Sequence, residues 1–285
     1  VFTSVGLYAH EGFKFWAAKQ VEQGVRLVVS QHGGAYGSSR VYMLEEFEVD
    51  CSDHYFSWGW QDNNSPKIIP MPSGQLERVR KTIKPDPAGS ILMMGWELPR
   101  YFWLGYSAPV SSKMIGFFAD HEQFVAGLSK EARKLLVLRL YQFDQGWGVD
   151  ERWRKFDPTI STSRGGNSIY RQLNKSRLAV NTYNSTVHLE TLSANFPTLF
   201  FWRPDSFELR NSAQPDYDEL LEVGIFHRSP ESAAAKVNEI FQDPLAWWYS
   251  SHVQEIREKF CRNYAWTKKT WCMDWKNKFK NIVGA

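Results

Sequence analysis

The spacing of apolar and polar residues in the first part of the chain predicts alternating helices and strands. Residues 11–22 carry apolar side chains at helical spacing, and Gly24 follows as a stop signal. Residues 26–30 form a short apolar run that predicts a buried strand, and a helix over 41–49 and a strand over 55–58 follow. This α-β-α-β order indicates a parallel sheet.

After a segment of different composition, the rest of the chain again alternates strands and helices. Residues 61–90 are rich in proline, glycine and asparagine, which indicates turns and a linker. The pattern then predicts strands at 90–95, 134–141, 177–181 and 198–202, helices at 113–128, 168–174 and 185–194, and a mostly helical tail over 215–280. The Gly- and Trp-rich segment 144–168 is predicted to be a long functional loop.

These segments predict three units. We expect residues 1–75 to belong to a first domain, residues 76–265 to form a second, and residues 266–285 to form a helix that packs back on the first. The chain begins at Val1 rather than at a methionine, and we expect the first domain to be incomplete.

Composition narrows the class of protein. The chain has 285 residues, of which 43% are hydrophobic and 23% charged, which fits two globular α/β domains and excludes a disordered chain. The net charge of +3 is too small to indicate nucleic acid as a partner. Aromatic residues reach 15%, with 13 tryptophans; such rings either stack on sugars or fill a large core, and we favour the core.

Cysteines and apolar runs indicate the compartment. Cys51, Cys261 and Cys272 cannot all pair with one another, and no Cys/His spacing predicts a metal site. The sequence has no secretory-signal pattern and no apolar run long enough to span a bilayer. We therefore expect a reduced, cytoplasmic location.

The first candidate site follows the predicted strand at 26–30. His32 stands in a turn in which Gly33 and Gly34 would let a substrate approach the backbone closely. A histidine at this place either acts as a general base near neutral pH or only caps the turn.

An acidic cluster follows in the next predicted helix. Glu45, Glu46 and Glu48 stand close together, and Glu45 and Glu48 share a helix face. One face either points a carboxylate into the cleft, as a base or as a support for His32, or is a solvated surface. Glu45 and Glu46 are the predicted catalytic candidates.

A polar run ends the predicted strand at 177–181. Asn184 precedes Ser185 and Thr186, which open a helix whose free N–H groups and dipole favour phosphate. Glu190, further along this helix, could hydrogen-bond a ribose or sugar hydroxyl. Ser and Thr are also routine helix caps without a ligand. The absence of GxGxxG and GxxxxGK[ST] patterns argues against dinucleotide and P-loop chemistry.

Two further features leave alternatives open. Arg139 either pairs with a phosphate or a sugar carboxylate, or it forms an internal ion pair. Tyr141 either stacks on a base or a sugar, or it packs in a loop.

An aromatic stripe among lysines is formed by Trp271, Trp275 and Phe279 near the end of the chain. It either docks on a membrane surface or packs across the first domain, and we favour packing.

Together these motifs resemble a family of transferases from bacterial surface-polysaccharide gene clusters. The resemblance covers nearly the whole chain and rests on the segments SQHGGAYG (30–37), SDHYFSWGW (52–60), RLYQFDQGW (139–147), NSTVHLE (184–190), FPTLFFW (196–202) and AWWY (246–249). More distantly, the layout is similar to the glycerophosphotransferases that build teichoic acids and to the transferases of 3-deoxy-octulosonic acid.

The resemblance implies a GT-B fold, with two Rossmann-like domains built on parallel sheets, the first incomplete, and a helical tail. It implies that the first domain binds the acceptor and the second the nucleotide donor. By the same analogy His32 corresponds to the base, and Ser185 and Thr186 to the phosphate binders. Gly33 and Gly34 are not followed by the Thr-Pro-Leu-Lys of the glycerophosphotransferases, so a glycerophosphate donor is not implied.

We therefore expect a glycosyltransferase that moves a sugar, such as a CMP-activated keto-deoxy sugar acid, onto a surface glycan or lipid-linked glycan. Arg139, Tyr141, Asn184, Ser185, Thr186 and Glu190 are the predicted donor-binding residues. No cofactor or metal is expected, since helix dipoles and arginine can neutralise a leaving phosphate. The alternatives are a transferase of polyol phosphate from a CDP carrier and a glycan-binding protein without catalysis, and peripheral membrane contact stays open.

Overall fold

The computed structural model describes residues 1–102, 105–165 and 168–284, which contain two parallel β-sheets. The first sheet has the order β1-β2-β3-β4, with every neighbouring pair parallel. Its strands are β1 (Phe2–Thr3), β2 (Val28–Ser30), β3 (His54–Ser57) and β4 (Ile68–Pro70). Helices α1 (Gly6–Ala9), α2 (Glu11–Glu22) and α3 (Met43–Cys51) connect the first three strands.

The second sheet has the order β10-β9-β8-β5-β6-β7, again parallel throughout. Its strands are β5 (Ser90–Met94), β6 (Leu136–Leu140), β7 (Ser161–Arg164), β8 (Ser176–Asn181), β9 (Thr198–Phe201) and β10 (Phe226–His227). Numbered from β5, this is the doubly wound order 3-2-1-4-5-6, and the winding direction reverses between β5 and β8. The crevice above that pair is the place where such sheets bind ligands.

The remaining helices cover the second sheet, link it to the first or, in the case of α14, pack back on the first. They are α4 (Gly74–Arg80), α5 (Lys113–Ala126), α6 (Lys130–Lys134), α7 (Val149–Phe156), α8 (Ile169–Leu173), α9 (Thr186–Ser193), α10 (Gln214–Glu222), α11 (Pro230–Ile240), α12 (Pro244–Trp248), α13 (Ser251–Tyr264) and α14 (Trp271–Val283). Strand β9 is buried at all four residues, as expected of a parallel strand covered on both faces.

The predicted parallel α/β order is confirmed, but two segments predicted as irregular contain regular structure. Residues 61–90 include β4 and α4. Residues 144–168 include α7 and β7, and the part of that predicted loop at 166–167 lies outside the described residues. The predicted strand 134–141 is shorter in the structure, because its first residue, Lys134, ends the short helix α6 and β6 begins at Leu136.

The last helix, α14, packs on the first sheet. The rings of Trp275 and Phe279 lie with their centroids 5.3–5.5 Å from those of Phe2 in β1 and Phe56 in β3. The Trp275 indole N–H donates to the carbonyl of Pro72 at 2.8 Å. The aromatic stripe therefore faces the protein. The division at residues 75 and 265 stays a prediction.

Among the described residues, no helix combines the length and the hydrophobicity needed to cross a lipid bilayer.

Candidate active site

The carboxyl ends of the two sheets face one cavity of about 430 Å³. Strand β2 leads into the turn His32–Gly34, and β8 leads into Asn184, Ser185 and the start of α9. We call this space the switch-point cavity, because it lies over the crevice between β5 and β8. Its lining residues are Tyr8, His32, Gly33, Gly34, Ala35, Ser39, Tyr42, Leu44, Trp96, Tyr106, Ser107, Tyr141, Tyr183, Asn184, Ser185, Thr186, Val187 and Phe207.

Aromatic rings form one wall of the switch-point cavity. Trp96 follows β5 and Tyr183 follows β8, and their rings are stacked with centroids 5.4 Å apart at an angle of 12°. Tyr106 and Phe207 lie against Trp96 at 6.5 and 5.7 Å. A wall of this kind presents apolar surface to a flat ligand at the place where the fold leaves room for one.

The two halves of the molecule meet at Gly34. Its backbone N–H donates to Thr186 Oγ1 at 2.9 Å. A Cβ added at Gly34 would lie 2.2 Å from the carbonyl carbon and oxygen of Ser185 and 2.5 Å from the Thr186 nitrogen. The missing side chain of Gly34 therefore lets this turn approach the backbone of Ser185 and Thr186 closely. From the sequence, we expected the glycine to let a substrate approach instead.

His32 stands at the edge of the cavity with its imidazole partly exposed. Its Nδ1 and Nε2 lie 3.3 and 3.4 Å from the Tyr36 hydroxyl. Burial lowers the pKa of His32 below its usual value, and a backbone hydrogen bond with Ser4 acts in the opposite direction. The imidazole is therefore neutral at pH 7 and can accept a proton.

The carboxyl group that lies near His32 is that of Glu48. Its side chain is fully buried, and Oε2 accepts from the Tyr36 hydroxyl at 3.0 Å. Oε1 lies 3.7 Å from His32 Nδ1 and has no hydrogen bond from any described residue. Burial raises the pKa of Glu48 to about 8. His32, Tyr36 and Glu48 thus form a connected polar group behind the cavity.

Glu45 and Glu46, the predicted catalytic carboxylates, do not contact His32. Glu45 is buried in an ion pair with Arg210 at 2.6 Å and accepts from the Gly37 N–H at 2.6 Å. Glu46 is exposed on the far side of α3. The catalytic role of Glu45 and Glu46 stays a prediction. Glu48, on the same helix face as Glu45, is the member of the cluster that lies near His32.

Glu48→Gln is expected to remove a pH-dependent loss of stability. The pKa of Glu48 in the folded protein lies above the reference value of 4.5. The contribution of Glu48 to the stability of the folded state is therefore greatest below pH 4.5, where Glu48 is protonated in both the folded and the unfolded protein, and it falls as the pH rises towards 8. Each unit of pKa shift corresponds to about 1.4 kcal/mol. Urea denaturation at pH 5 and pH 8.5 should therefore show a smaller fall in the free energy of unfolding for the variant than for the wild type.

Glu46→Gln is the matched control for this comparison, since it makes the same change on the exposed side of the same helix. We expect its pH dependence to follow that of the wild type. A Glu48→Gln protein that loses as much stability between the two pH values as the wild type would contradict the buried neutral carboxyl.

The predicted phosphate-binding segment lines the cavity. The side chain of Asn184, 9% exposed, donates to Ser38 Oγ at 3.0 Å, while its Oδ1 is buried without a hydrogen bond from any described residue. The Ser185 N–H donates to His188 Nδ1 at 3.2 Å and so closes the first turn of α9. Thr186 faces the cavity, with its hydroxyl engaged by Gly34.

Of the other predicted donor-binding residues, one lines the switch-point cavity and two do not. Tyr141 lines the switch-point cavity. Arg139 instead donates to Gln172, and burial lowers its pKa. Glu190 accepts from the Tyr170 hydroxyl at 2.8 Å and from Gln75, and burial raises its pKa. Neither Arg139 nor Glu190 is among the residues that line the switch-point cavity.

A second cavity of about 580 Å³ opens on the other side of His32. It lies at the carboxyl edge of the first sheet, under α4 and α14, and we call it the tryptophan cavity. Its lining residues are Phe2, Ser4, Ser30, Gln31, His32, Trp58, Ser73, Gly74, Gln75, Glu77, Arg78, Lys81, Thr82, Trp271 and Trp275. His32 is shared by both cavities and can therefore touch ligands bound in either.

Comparison with protein families identifies the chain. The model of the "LIC12162 family transferase" matches residues 1–279. The chain belongs to this family of transferases. No curated protein matches it.

Several solved structures are similar to this LIC12162 family member, and one of them supports its fold. A Listeria monocytogenes protein named as a UDP-N-acetylglucosamine 2-epimerase has a TM-score of 0.55 at 12% identity, covering 93% of this chain and 70% of that one. WaaG, a glycosyltransferase of lipopolysaccharide biosynthesis, has a TM-score of 0.44 at 12% identity, and the match covers 93% of this chain and 80% of WaaG. Trehalose 6-phosphate synthase from Burkholderia multivorans has a TM-score of 0.47 at 12% identity, and the match covers 94% of this chain and 70% of the synthase. We take the fold from the first of these, and with the two parallel sheets it is the predicted GT-B type.

Sequence reasoning on this LIC12162 family member missed several residues at the site. Tyr36 and Glu48 belong with His32, and Trp96 and Tyr183 form the aromatic wall. Their position in the chain could have identified Trp96 and Tyr183. Trp96 follows β5 and Tyr183 follows β8, and the ends of these two strands flank the switch point.

Proposed function

We propose that the protein transfers a glycosyl group from a nucleotide sugar to the hydroxyl of a glycan. The observation that carries the proposal is the switch-point cavity, in which the His32 turn of one half meets the start of α9 in the other. Membership of a transferase family supports group transfer, and the position at the switch point supports a nucleotide as the donor.

The donor phosphate would lie at the start of α9. Here the backbone N–H groups and the helix dipole favour an anion. The buried Oδ1 of Asn184, which accepts no hydrogen bond from a described residue, is free to accept from a hydroxyl of the donor. The aromatic wall of Trp96 and Tyr183 would lie beside the base or the sugar. We propose that these backbone dipoles, rather than a bound metal, stabilise the leaving phosphate.

The acceptor would occupy the tryptophan cavity. Trp58, Trp271 and Trp275 offer ring surface to a sugar, and Arg78 and Lys81 favour an acceptor that carries an acidic group. His32, between the two cavities, would take the proton of the acceptor hydroxyl as its oxygen bonds to the anomeric carbon. The bond from that carbon to the donor phosphate oxygen breaks, and the nucleotide leaves with the electron pair.

A nucleotide screen tests the proposal. We expect one of CMP, CDP, UDP, GDP and dTDP to raise the melting temperature of the protein, because a ligand that binds only the folded state stabilises it. Preference for CMP favours a keto-deoxy sugar acid as donor, and preference for CDP favours the rival transfer of a polyol phosphate. A folded protein that none of the five stabilises would overturn the assignment and favour a glycan-binding protein.

Asn184→Asp is expected to weaken binding of the nucleotide about tenfold or more. The substitution keeps the shape of the side chain and puts a negative charge at the start of α9, and two like charges about 5 Å apart repel by ~3 kcal/mol at an effective dielectric of about 20. Isothermal titration calorimetry measures the change.

Asn64→Asp makes the same change in charge on an exposed loop of the first half and is the matched control. We expect its nucleotide affinity to equal that of the wild type. If both variants bind the nucleotide as the wild type does, its phosphate lies elsewhere.

A further inference from the structure

A third cavity, of about 350 Å³, lies at the opposite end of α9. Four parts of the chain surround it: the end of α4, the end of α9, one face of α13 and the segment that leads to α14. We call it the arginine cavity. Its lining residues are Arg80, Ser193, Asn195, Arg257, Glu258, Cys261, Arg262, Trp266 and Thr267.

Three guanidinium groups meet at this cavity. Arg257 is buried, donating to the Leu192 carbonyl at 3.0 Å and to Glu258 at 3.2 Å. Arg80 reaches Thr267 Oγ1 at 3.4 Å and Glu77 at 3.5 Å.

Arg262 is exposed and forms an ion pair with no residue in the part of the chain that the structure describes. Glu258 is the one acidic side chain among the lining residues, and Glu77 pairs with Arg80 from beside the cavity, so three guanidinium groups have two carboxylates as partners.

This arrangement leaves an excess of positive charge around the cavity, on Arg262. Like charges around one space repel, and an anion between them removes the repulsion. A guanidinium group presents its N–H donors in a planar fork that fits the oxygens of phosphate. Ser193, Asn195 and Thr267 supply further polar atoms around the same space.

We propose that the arginine cavity binds a ligand through a phosphate monoester group, at a site distinct from the two cavities that His32 shares. The site lies where both connections between the sheets pass. Arg80 ends α4, which leads from the first sheet to the second, and Trp266 lies on the return, where its carbonyl accepts from the Ser73 N–H at 2.8 Å. The bound group would hold these two connections together.

The site also touches the same helix as the switch-point cavity. Thr186 at the start of α9 lines one cavity and Ser193 at its end lines the other. Eight helical residues span about 12 Å, so the two sites lie on one short rigid element. Occupation of the arginine cavity is therefore positioned to affect the order of the segment that faces the donor.

Calorimetric titration with inorganic phosphate at constant ionic strength tests the proposal on the full chain. We expect Arg262→Gln to weaken phosphate binding about fivefold, because it removes a charged donor whose side chain forms no ion pair with a described residue. Arg26→Gln, an exposed arginine at the amino end of β2, is the matched control and should bind phosphate as the wild type does.

Asn184→Asp separates this site from the switch-point cavity. Phosphate affinity that falls in Arg262→Gln and persists in Asn184→Asp supports the arginine cavity. Affinity that falls only in Asn184→Asp overturns the proposal and assigns the phosphate to the donor position. Equal affinity in the wild type and Arg262→Gln also overturns it, without bearing on the proposed glycosyl transfer.

Two further titrations identify the source of the phosphate group. Glycerol 3-phosphate represents a soluble monoester, and vesicles of phosphatidylcholine with phosphatidate represent a lipid headgroup. Binding of either one that Arg262→Gln weakens supports the site and names its ligand class. Binding of neither, in a protein that binds inorganic phosphate, overturns the monoester assignment.

Discussion

His32→Gln is expected to lower kcat by about 10²–10⁴-fold, the usual contribution of a positioned general base. Glutamine keeps a polar side chain at the edge of the cavity but cannot take a proton near neutral pH. Burial lowers the pKa of His32 below its usual value, so the imidazole is already in the form that accepts a proton. Steady-state kinetics with the donor found in the nucleotide screen measure the effect.

Two comparisons isolate the proton transfer from binding. The nucleotide affinity of His32→Gln should match that of the wild type, because the start of α9, rather than His32, would hold the phosphate. His252→Gln, an exposed histidine on α13, should keep full activity. A His32→Gln enzyme with unchanged kcat would exclude His32 as the base.

The pH dependence of kcat/KM provides a second observable for the same residue. Activity should fall as the pH drops through the pKa of His32, because the protonated imidazole cannot act as a base. That pKa lies below its usual value, so the acidic limb of the profile should lie below about pH 6.5. Loss of this limb in His32→Gln would assign it to His32.

Periodicity predicted the long elements of this fold and failed on short or polar ones. Helix α2 was predicted with the bounds Glu11–Glu22 that it has, from the helical spacing of its apolar residues and the stop signal at Gly24. Strand β7 (Ser161–Arg164) consists of polar residues at the edge of the second sheet and has no apolar alternation to reveal it. Strand β4 has three residues among prolines, so its pairing with β3 alone defines it.

The sequence could predict those residues of the candidate site that directly follow a strand. His32 and Asn184 follow parallel strands, and such ends meet at one edge of the molecule. The choice between Glu45 and Glu48 was not predictable, because it depends on Arg210, which is 165 residues away along the chain. Arg139 shows the same limit: it lies one residue before the end of β6, but its side chain donates to Gln172.

Gly34→Ala is expected to destabilise the protein by about 3 kcal/mol or more, at or above the upper end of the usual cost of overpacking. The added Cβ would lie 2.2 Å from the carbonyl of Ser185, a distance that real Cβ atoms do not adopt. The obstacle is backbone, so no side chain can rotate away. Either the two halves separate at this contact or the start of α9 shifts, and both outcomes break the hydrogen bond from Gly34 to Thr186.

Two glycine variants calibrate this expectation in urea denaturation. At Gly33 the added Cβ would lie 3.3 Å from Thr186 Oγ1, a movable side-chain atom, so Gly33→Ala should cost far less than Gly34→Ala. At Gly116, inside α5, nothing lies within 4 Å, and Gly116→Ala should stabilise the protein by about 0.5–1 kcal/mol through helix propensity. A Gly34→Ala protein as stable as the wild type would show that the two halves do not meet at this glycine, and the switch-point cavity would lose its shared wall.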